Sequence, residues 1–274
     1  MSDPKTIVVI GGTGHFGGRI CRRLVGEPDT KLIVTSRSEA SASVFVDELK
    51  RNFPNEKIYP AALDQFSRNF ERDLQELHPD IVLHTAGPYQ GQNYRVAKAC
   101  IDCGSHYVDL ADGRDFVSGF TELNEQALQR DVFLVSGAST LPGLSSSVVD
   151  AVFDWFAEIN EIEISIAPAH QTPRGNSTIS AVLSYCGRPF QVLKDGLWVK
   201  SFGWQDLRVQ NYPSLGGRLS GVCDVPDLTL LSQYVPGVKT VCSRSRLGTV
   251  VSLGHGVAYT VTSNKELGKN CTSI

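Results

Sequence analysis

The sequence predicts an α/β protein in which a doubly wound parallel sheet is followed by a second, mixed α/β domain. Three observations predict it. A β-branched strand runs through a glycine-rich turn into a helical pattern in "IVVIGGTGHFGGRI" (7–20). Short β-rich runs then alternate with helical periodicity up to about residue 140. Beyond that point the pattern changes to an alternating strand, "EIEISIAPA" (161–169), an amphipathic segment, "TISAVLSYCG" (178–187), and the hairpin-like "RPFQVLKDGLWVK".

The first strand, "TIVVI", leads into Gly12, Gly14 and Gly17, which satisfy G-x-G-x-x-G, and Phe16, Ile20 and Leu24 follow at helical spacing. The first glycine permits a tight turn, the second lets backbone approach a pyrophosphate, and the third lets the helix press on the strand. N–H groups at the helix start then face the anion. Gly12, Thr13, Gly14, His15, Phe16 and Gly17 are therefore candidate cofactor contacts; the other reading is a strand-to-helix turn with no ligand.

The second strand, "KLIVTSR", ends at Thr35, Ser36, Arg37 and Ser38. An NAD enzyme would place Asp or Glu here to hold the ribose hydroxyls. A guanidinium flanked by hydroxyls suits a 2′-phosphate instead, so Ser36, Arg37 and Ser38 favour NADP, with NAD as the second choice. Glu39 just beyond weighs against this, and a solvated loop arginine is the alternative. Further strands are read in "KIYPAALD" (57–64), "DIVLHTAG" (80–87), "HYVDLA" (106–111) and "VFLVSGA" (132–138). Helices fit 39–52, 65–77, 91–103 and 115–130. The division expected is a dinucleotide-binding domain over 1–140 and a substrate or cover domain over 141–274.

Composition narrows the function. A chain of 274 residues, 41% apolar, can furnish a real core. A net charge of -3 with both signs scattered gives no basic stripe, so nucleic acid is not an expected partner. "MSDPKT" lacks the layout of a signal peptide, and no apolar run is long enough to span a bilayer. A cytoplasmic protein with a small-molecule substrate and no membrane partner is expected. Seven cysteines, an odd number widely spread, argue for reduced thiols. Cys100 and Cys103 form a CxxC without a second pair or nearby histidines, which favours packing over metal or redox chemistry, and no metal site is expected.

The segment "HTAGPYQGQNYRVAKACIDCGSHYVDLADGRDFV" (84–117), together with "GGTGHFGG" and "VSGASTLPGLSSSVVD" (135–150), resembles the saccharopine dehydrogenase or saccharopine reductase-like oxidoreductases over roughly residues 5–240. The resemblance implies a Rossmann-type domain that binds NADP or NAD, followed by a domain covering the active-site cleft. It implies hydride transfer between the nicotinamide and a small amino-acid-like, carbonyl or imine substrate, and is compatible with a homodimer through the second domain. It also puts Ala86, Gly87, Pro88 and Tyr89 close to the cofactor and Asp64 near the adenine side. A dinucleotide-binding sensor that keeps the fold without turnover is the other class.

Candidate catalytic residues follow from position. Asp112 and Arg114, just past the fifth strand, are the best-placed charged pair: Arg114 as a clamp for a substrate carboxylate, or the two as a structural salt bridge. Tyr89 and Tyr107 can donate protons or simply pack, and His170 can reach the cleft or lie on the surface. "SYCG" resembles a stretch of the saccharopine reductases, although its surroundings differ. From about residue 241 the chain departs from the family's continuation. Permitted codons for "RLGTVVSLGHGVA", read one base later, can spell GLELLFHLGMGWL, which suggests a frameshift near 240–246; the gene's nucleotide sequence decides it.

Overall fold

The computed structural model describes residues 4–168, 175–212 and 216–246, which fall into two units. The first comprises residues up to 111 together with 119–139; the second comprises 112–118 together with the described residues from 140 onward.

In the first unit, β1 (Lys5–Ile10), α1 (His15–Leu24), β2 (Thr30–Ser36), α2 (Glu39–Asn52), β3 (Ile58–Ala62), α3 (Phe70–Glu76), β4 (Ile81–His84), α4 (Arg95–Cys103) and β5 (His106–Asp109) alternate along the chain. After α5 (Arg114–Ser118), which belongs to the second unit, α6 (Asn124–Gln129) and β6 (Leu134–Val135) complete it. The strands are parallel, in the order β3-β2-β1-β4-β5-β6. A continuous Ile-Val-Val-Ile run suits β1 because a strand in the middle of a parallel sheet is covered on both faces. Val8 and Val9 have no exposed surface, and Val9 pairs with Val34 on one side and Leu83 on the other. Val9, Cys21, Leu32, Val34, Val46 and Ile58 pack α1 and α2 against the sheet. Pro60 sits in β3, which is an edge strand, where a missing N–H costs no ladder bond.

Several elements are shorter than their sequence patterns predict, each for a local reason. The helix expected at 65 starts at Phe70, because the Asp64 carboxylate accepts from Phe66 N–H at 3.0 Å and Ser67 Oγ from Asn69 N–H at 3.2 Å. These side chains compete with helical hydrogen bonds. The helix expected at 91 starts at Arg95, whose N–H donates to Asn93 Oδ1 at 3.1 Å. The pattern over 115–130 breaks at Gly119 into α5, a single tight turn (Phe120–Leu123) and α6. The strand expected over 132–138 contracts to Leu134–Val135, since Gly137 has φ +83° and its N–H bonds Asp109.

The second unit has α7 (Ser145–Val152), β7 (Glu161–Ile166), α8 (Asn176–Ser184), β8 (Pro189–Lys194), β9 (Leu197–Phe202), β10 (Arg208–Tyr212), β11 (Gly216–Val222), α9 (Asp227–Tyr234) and β12 (Thr240–Arg246). Its sheet runs β10-β11-β12-β8-β9, and β7 pairs in parallel with β12. The expected hairpin is β8–β9, turning at Asp195 and Gly196 with φ of 51° and 81°. Asp-Gly tolerates this left-handed backbone, whose twist matches the strands it joins. Trp204, Leu228, Leu231, Val235 and Val241 lie at the centre of the core. Residues 240–246, at the start of the atypical tail, thus form a core strand; the rest of that tail lies outside the described residues.

A candidate dinucleotide site

The carboxyl ends of β1 and β4 meet where the strand order reverses, the place at which open α/β sheets bind ligands. The glycine turn lies there. Gly11 takes φ +76°, and Gly14 N–H closes the turn onto Gly11 carbonyl at 2.8 Å. A Cβ at Gly17 would stand 2.2 Å from Gly11 carbonyl oxygen and 2.6 Å from Thr85 Oγ1, so glycine is required for the helix to sit this close to the strand. A Cβ at Gly12 would meet Val34 Cγ1 at 2.8 Å. Gly14 differs. It is exposed, and a Cβ there would meet only Gly11 oxygen, at 3.0 Å. Its missing side chain keeps space open in front of the α1 N-terminus, whose first-turn amides have no intrahelical acceptor.

The end of β2 supplies a cation. Thr35 is buried and donates its hydroxyl to Val9 carbonyl at 2.9 Å, which fixes β2 against β1. Arg37 is exposed and its guanidinium has no hydrogen bond or ion pair among the described residues. Ser36 and Ser38 flank it, and the Ser38 side chain caps no amide of α2.

The turn after β4 is held from several directions. Thr85 Oγ1 donates to Ile10 carbonyl at 2.8 Å, joining this turn to the glycine turn. Ala86 carbonyl accepts from Gln92 Nε2 at 3.1 Å and Gln65 Nε2 at 3.3 Å. Gly87 and Pro88, joined by a cis peptide bond, are half-buried. Tyr89 is buried, and its hydroxyl donates to His84 carbonyl at 2.6 Å. Asp64 is the second residue of the loop after β3, its carboxylate folded onto Phe66 N–H. Arg95 clamps that loop. It donates to both Glu71 oxygens, at 2.6 and 2.7 Å, to Gln65 carbonyl at 3.1 Å and to Ser67 carbonyl at 2.7 Å. The Arg95 hydrogen bonds hold the Glu71 carboxyl down to about 2.

Beneath this edge lies a buried polar chain that the sequence reading did not assemble. His84 Nε2 is 2.7 Å from Gln65 Oε1 and its Nδ1 is 2.9 Å from Tyr107 Oη, which in turn is 2.9 Å from Asp109 Oδ2. Asp109 Oδ1 accepts from the N–H groups of Ala111 at 2.9 Å and Gly137 at 2.8 Å, and Ser136 Oγ donates to the same carboxyl. Burial pushes the His84 imidazole down to about 4 and raises Asp109 and Tyr107. The available signal was the spacing in "HYVDLA": a tyrosine and an aspartate two apart on a strand share one face.

A family model described as the saccharopine dehydrogenase NADP binding domain matches residues 7–133. Over these residues the first unit is similar to a saccharopine dehydrogenase NADP-binding domain. Among solved structures, the L-Glu-forming saccharopine dehydrogenase of Saccharomyces cerevisiae is similar over 89% of this chain, with a TM-score of 0.67 and 15% identity. This chain spans 56% of that structure's length. Smaller likenesses, at TM-scores of 0.40 and 0.37, are to L-sorbose reductase from Gluconobacter frateurii in complex with NADPH and L-sorbose and to an alcohol dehydrogenase from Comamonas testosteroni specific for bulky-bulky ketones. Identities are 12% and 13%, covering 47% and 56% of this chain and 66% and 84% of theirs. No curated protein sequence matches the chain.

Within the first unit the candidate cofactor residues fall on one sheet edge: the glycine turn and α1 start, the β2 end, Asp64 and the turn from Ala86 to Tyr89. Asp112 and Arg114 belong to the second unit. There Arg114 donates through Nε to Thr229 Oγ1 at 2.7 Å, and through Nη1 to Gln191 carbonyl at 2.7 Å and Asp224 Oδ1 at 3.2 Å. Asp112 lies close enough to Tyr185 for its charge to help raise that hydroxyl, after burial and Cys223. His170 lies outside the described residues. Cys100 is fully buried and its thiol is pushed well up by burial, whereas Cys103 is half-buried. No helix among the described residues is long and apolar enough to cross a membrane.

Proposed function

We propose that this protein is an NADP-dependent oxidoreductase acting on a small amino-acid-like, carbonyl or imine substrate. The single observation that carries the cofactor choice is Arg37, an exposed guanidinium just past the end of β2 with no partner among the described residues, on the same strand edge as an open glycine cradle. When bound, the nicotinamide supplies the hydride; the rest is binding and positioning by the protein. Thr13 and the first-turn amides of α1, with Gly14 leaving them uncovered, hold the pyrophosphate. Arg37 with Ser36 and Ser38 holds the 2′-phosphate, and the turn from Ala86 to Pro88 borders the cofactor. Tyr89, Asp112 and Arg114 are the proposed substrate-side residues: a hydroxyl to position the turn, a carboxyl for proton transfer and a guanidinium for an anionic group.

Titration calorimetry tests the cofactor. NADPH is expected to bind more tightly than NADH, and Arg37→Asp to reverse the order by removing the phosphate partner and supplying a ribose acceptor. Equal affinities in the wild type, or an unchanged order in the variant, defeat the assignment. NADPH oxidation across a panel of small oxo acids and imines separates an enzyme from a dinucleotide sensor, for which binding without turnover is expected.

A further inference from the structure

Three buried contacts run in series beneath the carboxyl edge of the first unit's sheet: Gln65 Oε1 to His84 Nε2, His84 Nδ1 to Tyr107 Oη, and Tyr107 Oη to Asp109 Oδ2. Each needs one hydrogen between its two heavy atoms. A neutral imidazole, a phenol and an ionised carboxylate together bring only two. The Gln65 amide does not bring the third. Its Nε2 donates to Ala86 carbonyl, and turning it over would set its oxygen against that carbonyl. One contact would then be a pair of facing lone pairs among side chains that are almost wholly buried.

An added proton fills the series in either of two ways, as imidazolium with carboxylate or as imidazole with carboxylic acid. Burial acts against both charges: it lowers His84 against the Ala86 backbone contact, and raises Asp109 against the hydrogen bonds from Gly137, Ala111, Ser136 and Tyr107. The groups facing Asp109 are Tyr107, Ser136 and the amides of Ala111 and Gly137, and those facing Tyr107 include Tyr89 and Cys100; none is a cation. The neutral arrangement satisfies every atom. Asp109 Oδ1 acts as the carbonyl that accepts both amides, and Oδ2–H donates to Tyr107.

We propose that Asp109 is held as a carboxylic acid and is a positioning residue for the turn after β4. The chain then points one way: Asp109 donates to Tyr107, Tyr107 to His84 Nδ1, His84 Nε2–H to Gln65 Oε1, and Gln65 Nε2–H to Ala86 carbonyl. The amide that steadies Ala86 is thereby oriented by a proton three residues away. Its link to NADPH rests on the cofactor reading above, whereas the protonation does not.

Infrared difference spectroscopy of the apoprotein at neutral pH, wild type against Asp109→Asn, tests the protonation. A protonated-carboxyl band is expected in the wild type, shifted by ¹³C-aspartate labelling and missing from the variant; its absence overturns the proposal. Asparagine mimics the acid, with Nδ2–H in place of O–H, so Asp109→Asn is expected to fold and to bind NADPH within about twofold of wild type. Loss of folding or of binding in that variant counts against a neutral acid, because only a carboxylate would be missed. Tyr107→Phe cuts the chain and is expected to weaken NADPH about tenfold with the fold retained; unchanged affinity overturns the positioning role. Should the wild type bind no NADPH, the cofactor reading fails while the band still decides the protonation.

Discussion

Two glycines of one motif do different work, and substitution separates them. Alanine at Gly17 would drive a methyl into Gly11 carbonyl at 2.2 Å, so Gly17→Ala is expected to lower the unfolding midpoint sharply, by about 2 kcal/mol or more. Alanine at Gly14 meets only one backbone oxygen at 3.0 Å, so Gly14→Ala is expected to fold nearly as wild type but to lose NADPH at least tenfold. Gly14→Val removes binding altogether. Denaturant melts and titration on the same samples check both, and normal binding by Gly14→Val would mean that the cradle holds no anion. His84 makes a further prediction. Its folded value of about 4 lies below its ordinary 6.5, so the unfolded chain binds the proton first. The stability it contributes is present above pH 6.5 and is lost as pH falls through about 4, an effect of about 3 kcal/mol. His84→Gln should flatten that acid limb in urea melts. Asp109, raised in the fold, acts in the opposite sense, its contribution falling as pH rises through its folded value.

Elements with a repeating pattern were legible in the sequence; elements ended by side chains were less so. The expected helix 39–52 coincides with α2, because Val46 and Leu49 face the core at helical spacing and nothing local competes. The helix expected from 65 begins five residues late because Asp64 and Ser67 capture amides, a choice that depends on side-chain rotamers rather than on periodicity. Sites followed the same division. The glycine turn and the β2 end, proposed as cofactor contacts, are each contiguous in sequence, whereas the chain from Gln65 to Asp109 joins residues at or just past the ends of three strands and is visible only once β3, β4 and β5 are in place. Arg95 is another such case, a helix-start arginine that reaches back across 24 residues to Glu71. Its replacement by alanine frees two loop carbonyls and a carboxylate together. Arg95→Ala is therefore expected to speed amide exchange over 65–70 and to weaken NADPH severalfold through Gln65, while α2 and β1 exchange as in wild type. Uniform exchange changes across the unit would assign Arg95 to global stability instead.

At the scale of the molecule, the chain passes from the first unit to the second at 112–118, returns at 119, and leaves again at 140. A composition change near 140 marks the later crossing; the earlier one has no such marker, since "DGRDFVS" reads as the start of a helix of the first sheet. What assigns it to the second unit is Arg114. Its guanidinium is engaged by Thr229, Gln191 carbonyl and Asp224, and it lies 5.8 Å over the Trp198 ring. These contacts tie α5 to α9 and to β8 and β9. A clamp for a substrate anion and a tie within the second unit predict different results for Arg114→Ala. As a tie, the substitution strands Asp224, whose carboxyl is already raised by burial and brought back down by Arg114. Removing the partner of a part-buried charge costs on the order of 2 kcal/mol. The expected outcome is accordingly a lower melting temperature, with NADPH affinity barely moved because the first unit's site is untouched. Arg114→Ala with Asp224→Asn should recover part of the loss, since the stranded charge is then gone. A clamp adds a separate signature: kcat/KM for an anionic substrate about tenfold lower per folded molecule, and not restored in the double variant. Melting temperature and kcat/KM measured on the same two variants distinguish the roles, and a melting temperature unchanged in Arg114→Ala would remove the tie.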